Sequence, residues 1–189
     1  MKSHNFKIIC ICIFAAMWGA IEIFLGSILH QIPGKPIPTA MTIMILVIPL
    51  LVILYKLTGC IKVILAVGLI TAILKLFSPG GAKFNPFISI IIEALIFSLI
   101  FFLIPEKLKK TRIIAAGILT SAGGSMIGRV ITYYIFGYFK EKTLKYFLIF
   151  VFTKIGTGIT GGIIGSILAF IILDKIKNHP LLQKKNTDV

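Results

Sequence analysis

Long apolar runs set the limits on this chain. They lie at about 8–29, 40–55, 60–77, 87–104, 113–136 and 146–173, separated by short segments rich in lysine, proline or glycine. A bilayer-spanning helix needs about 20 mostly apolar residues. Six such helices use roughly 120 residues and leave the remainder for loops and tails. The expected fold is therefore all-α: a polytopic integral membrane protein forming one transmembrane domain over residues 1–189, a bundle of six transmembrane helices in the cell membrane. No room is left for a soluble catalytic or nucleotide-binding domain, so any coupling to ATP must come from another chain. Hydrophobic residues make up 58%, charged residues 14%, and the mean hydropathy is +1.04. Those values exclude both an ordinary soluble domain and a disordered chain. The first run is too long for the apolar core of a cleaved signal peptide.

The segments between the runs read as connectors. His30–Thr39 carries three prolines and a glycine. Lys56-Leu57-Thr58-Gly59 reads as a tight turn, Ser78–Pro86 as a glycine-rich loop, Pro105–Arg112 as a basic connector and Asp174–Val189 as a polar tail. The net charge is +14, and the bases lie mainly between apolar runs. There, positive charge sets orientation and meets lipid headgroups. Nothing resembles a nucleic-acid motif, so the bilayer is the expected partner and nucleic acid is not. With the N-terminus inside, twelve lysines and arginines fall on inner segments and six on outer ones. That bias places both termini in the cytoplasm.

Ionisable groups inside a bilayer are costly and mark function by default. Four lie well inside the runs: Glu22, Glu93, Arg129 and Lys154. At about 1.5 Å of rise per residue, all four fall at or outside the midplane, on four different helices. The pattern predicts an outward-opening polar cavity, with Asn85 and Tyr133 at its rim and Trp18 one turn below Glu22. Two readings stay open: the charges hold a ligand, or they pair as Glu–Arg and Glu–Lys and lock the bundle. Thr153, Thr157 and Thr160 either join the cavity or bond back to their own helix. No metal site is expected, because Cys10, Cys12 and Cys60 lack ligand spacing. No cofactor and no catalysis are expected either, since no HExxH, GxSxG, P-loop or paired aspartates occur.

A second pattern is made of small residues. Ala15, Ala16, Gly19 and Ala20 provide two four-residue spacings in the inner half of the first helix, the spacing that permits close helix contact. Gly158, Gly161, Gly162 and Gly165 do the same in the last, where packing within the bundle is the simpler expectation.

Together these features resemble the substrate-binding (S) component of an energy-coupling factor transporter. The likeness covers the whole chain as architecture, and its motif here is Ala16-Met17-Trp18-Gly19-Ala20. It implies capture of a small polar nutrient near the outer face, with the His30–Thr39 loop closing over it. It also implies docking, through the first helix, onto a transmembrane coupling subunit driven by two ATPase subunits. No substrate-specific signature of the biotin, thiamine or riboflavin branches is present, nor the metal-chelating start of the nickel and cobalt branch. Two other classes compete: a self-sufficient proton-coupled carrier using Glu22 or Glu93, and a small intramembrane enzyme.

Overall fold

Each of the six apolar runs folds as a helix in the computed structural model. It describes residues 4–26, 28, 39–77, 84–136 and 144–176; the side chains of 39, 40, 84, 85, 125, 129, 132–136, 144, 146 and 147 lie outside that description. Helix α1 (His4–Ala20) runs directly into a π-helical turn (Ile21–Leu25). It is followed by α2 (Thr39–Thr58), α3 (Ile61–Leu76), α4 (Phe84–Leu103), α5 (Lys109–Phe136) and α6 (Leu144–Ile176). No strand occurs among the described residues.

Four segments are long and apolar enough to cross a membrane: His4–Leu25, Met41–Thr58, Pro86–Leu103 and Leu148–Ile176. The other two helices fall short for different reasons. Helix α3 has only 16 residues, about 24 Å of rise against a hydrocarbon core of about 30 Å. Helix α5 has 28 residues, and the stretch of it described with its side chains, 109–124, is itself shorter than a span.

The turn after α2 is set by glycine. Gly59 adopts φ 61°, a left-handed conformation that costs glycine little. Its N–H donates to the Tyr55 carbonyl at 2.7 Å, closing the end of α2 as an αL cap. Several boundaries depart from expectation. Helix α1 starts at His4 rather than near Ile8, α2 continues through Lys56, Leu57 and Thr58 so that only Gly59 of the expected turn leaves the helix, and α4 takes in residues 84–86 of the expected glycine-rich loop. The connector expected at Pro105–Arg112 is a 3-10 turn (Glu106–Leu108) followed by the first turn of α5, and Arg112 is buried rather than solvated. The tail expected from Asp174 begins later, because α6 continues to Ile176. The loop at 29–38 and the tail beyond residue 176 lie outside the described residues.

Packing follows a ring that is not the chain order: α1 against α3, α3 against α4, α4 against α5, α5 against α6, and α6 against α2. Helix α2 also touches α1, α3 and α5 and is the most buried of the four long apolar segments. Glycines set the closest crossings. A Cβ added at Gly117 would lie 2.6 Å from the Gly162 carbonyl, and one at Gly158 would lie 2.8 Å from Ala122 Cα. Gly161 and Gly165 bring α6 against the α2 backbone at Met41 and Met44. The glycine stripe of α6 therefore serves the bundle. Outward faces are apolar, with Ile9 and Met17 on α1, Phe24 in the π turn, Leu99 and Phe102 on α4 and Ile149, Phe152 and Ile167 on α6. Water would penalise that much exposed apolar surface, and lipid would not.

Candidate functional site

The two glutamates of the apolar helical segments come together. Glu22 and Glu93 are both buried, and each carboxylate lies within electrostatic reach of the other. Helix α1 changes geometry just where Glu22 occurs. In the π turn the Gly26 N–H donates to the Ile23 carbonyl, leaving the Glu22 carbonyl without its usual α-helical donor. Lys75 supplies the replacement: its Nζ donates to that carbonyl at 2.7 Å. The same ammonium group attracts the Glu22 carboxylate. Single π turns inside α-helices occur often at functional sites.

Glycine makes room for the second carboxylate. Glu93 packs directly against Gly124 of α5, where an added Cβ would overlap its Cγ and lie 2.8 Å from Oε1. One turn on, Gly128 accommodates Ser89 in the same way. Across α3, Gly68 receives Ala94 of α4 and lies 3.7 Å, from its would-be Cβ, to the Trp18 ring. Thr71 donates to the Ala15 carbonyl at 3.3 Å, fixing α1 on α3.

Two polar atoms in this cluster lack partners among the described residues: Glu93 Oε2 and Trp18 Nε1. The indole N–H lies beside the Glu22 carboxylate without completing a hydrogen bond to it. An unmet polar group costs about 1–3 kcal/mol when buried. Two of them around paired carboxylates make an arrangement suited to a guest that offers both donors and an acceptor.

The expected site residues divide into three sets. Glu22, Glu93 and Trp18 form the cluster. Lys154 is half-buried on α6 with its Nζ 5.6 Å from the Phe150 ring of the same helix. Arg129 and Tyr133 lie on α5 beyond Gly124, and Asn85 begins α4; their side chains lie outside the described residues. Thr153, Thr157 and Thr160 bond back to the carbonyls of Ile149, Lys154 and Gly156 on their own helix. Lys75 was not among the expected site residues. Its signal in the sequence is a lone base flanked by leucines inside the last turn of an apolar run.

The small residues of α1 separate by face. Ala15 and Gly19 are buried, and a Cβ on Gly19 would meet Leu74 of α3 at 3.2 Å. Ala16 and Ala20 are exposed, on the side that also shows Ile13 and Met17. Among the described residues no group of three or more histidine, cysteine, aspartate or glutamate side chains could hold a metal ion. No family model, curated protein or solved structure matches this chain.

Proposed function

We propose that this chain is the substrate-binding membrane subunit of an energy-coupling factor type transporter, importing a small polar nutrient. The observation that carries the reading is the pairing of Glu22 with Glu93 inside the bundle, with Glu93 Oε2 lacking a partner among the described residues and the Trp18 indole beside Glu22. A purely structural lock would set each acid against a base; Glu22 has Lys75 beside it, whereas Glu93 Oε2 has no partner among the described residues. The guest is a small molecule rich in donors, cationic or zwitterionic, with Arg129 and Lys154 as candidates for any anionic end and Asn85 and Tyr133 at the rim. Energy comes from a separate coupling subunit and two ATPase subunits, and no cofactor or catalytic step is involved.

In this reading all six helices span the cell membrane with both termini inside, so the carboxylate cluster faces outward. Reporter fusions after residue 189 and within the 30–38 segment test the topology. The expected result is a cytoplasmic C-terminus and an external first loop; an external C-terminus overturns it.

The exposed Ala16 and Ala20 form the docking stripe, while Ala15 and Gly19 are engaged with α3. Close small-residue contacts tolerate no added volume. Ala16→Trp is therefore expected to abolish uptake by the assembled transporter while leaving unchanged the ligand that co-purifies with the subunit, read by native mass spectrometry. Full uptake by Ala16→Trp overturns the docking assignment. Adjacent buried carboxylates also favour one competing reading, a proton-coupled carrier. Uptake into vesicles by this chain alone, driven by a proton gradient, would establish that reading instead.

A further inference from the structure

A second buried charge lies at the opposite end of the bundle. Arg112 is 5% exposed, and its position traces to Pro105. Proline has no N–H, so the Phe101 carbonyl, four residues earlier at the end of α4, loses its helical donor. Arg112 Nη2 donates to that carbonyl instead, and also to the Tyr55 hydroxyl at 3.1 Å. The guanidinium carbon lies 4.8 Å from the Tyr55 ring centroid and 4.4 Å from that of Phe101. These contacts hold the guanidinium, and none of them neutralises it. Nε is buried without a partner among the described residues.

A cavity of about 40 Å³ opens beside Arg112, lined also by Tyr55, Lys56, Glu106 and Lys109. Three bases face one acid there. Such a volume holds only a few water-sized groups, which suits one tetrahedral oxyanion and not a nucleotide. A forked guanidinium at the base and an ammonium at the mouth match the several acceptor oxygens of such a group. The N-terminus of α5 adds its own partial positive charge. Basic pockets between membrane helices are recognised sites for phosphate headgroups.

We propose that this cavity binds a phosphate group, seated between Arg112 and Lys109 and supplied either by an anionic lipid headgroup or by free phosphate. The site is independent of the transport reading and of the carboxylate cluster. The full chain is placed in phosphatidylcholine nanodiscs and titrated with inorganic phosphate, followed by phosphorus NMR line broadening. In parallel, native mass spectrometry counts the phosphatidic acid retained from nanodiscs of phosphatidylcholine and phosphatidic acid. Saturable binding of either probe at one site is expected, identifying a soluble anion or a headgroup by the arm in which it occurs. R112Q should weaken binding about ten-fold or more, the loss of one charge-assisted hydrogen bond. K109E should also weaken it several-fold; Lys109 is exposed and is not part of the α4 cap, so this variant decides the matter if R112Q fails to fold. K145E, exposed at the other end of α6, should bind as the unmodified chain does. Absence of saturable binding in both arms, or equal binding by K109E and K145E, overturns the proposal.

Discussion

Gly162→Leu is expected to pry α5 from α6 and to lower the Tm of the detergent-purified protein by roughly 6–12 °C. A Cβ at this position would lie 2.6 Å from the Gly117 carbonyl carbon and 2.8 Å from Ile118 Cα. Those are backbone atoms, so no rotamer change relieves the overlap and the helices must move apart. Overpacking a core costs about 1–3 kcal/mol, and a backbone clash belongs at the upper end. For a chain of this size about 1 kcal/mol corresponds to roughly 2–4 °C. Gly156→Leu is the control. It lies on the same helix with nothing within 4 Å of its would-be Cβ, and leucine is the better helix former by up to about 1 kcal/mol. It should melt at or slightly above the unmodified protein. Equal melting of the two variants would show that α5 and α6 do not cross at Gly117 and Gly162.

The same crossing shows why some of the fold is legible in the sequence and some is not. Apolar run length locates the helices, because a backbone in lipid must bond within its own segment. The stop after α2 is legible because glycine costs little in the αL conformation, and Gly59 takes it, although Lys56, Leu57 and Thr58 remain helical. Helix ends are less legible: α6 continues through Asp174 and Lys175 because helical bonding does not require apolar side chains. The facing of each helix is hidden for a further reason. A bundle in lipid is apolar inside and outside, so periodicity does not tell its two sides apart. Depth alone groups Glu22, Glu93, Arg129 and Lys154, whereas the packing of α1 on α3 places Lys75 beside Glu22. Arg112 is hidden more deeply. In a segment of lysines it reads as solvated, and only the carbonyl that Pro105 cannot serve draws it inward.

Glu93→Gln should weaken ligand binding by on the order of 2–5 kcal/mol, the cost of breaking one member of a desolvated charged contact. The measurement is calorimetry on the purified chain, using the compound that native mass spectrometry identifies as co-purifying with it. Gly124→Ala provides an independent route to the same side chain. Its Cβ would overlap Glu93 Cγ, turning the carboxylate away without altering any charge. It should lose affinity comparably to Glu93→Gln. Glu22→Gln tests the partner carboxylate, and the double variant with Glu93→Gln should cost less than the sum of the singles, because the two act on one guest. Trp18→Phe keeps the ring packed against Gly68 and removes only the N–H, so a smaller loss of about 1 kcal/mol is expected. If the guest carries a planar carboxylate gripped by Arg129, Arg129→Lys weakens binding as well, because an ammonium cannot reproduce the bidentate fork. Should Glu22→Gln, Glu93→Gln and Arg129→Ala all fold and bind the co-purifying compound normally, the carboxylate pair does not hold the substrate and the site lies elsewhere in the bundle.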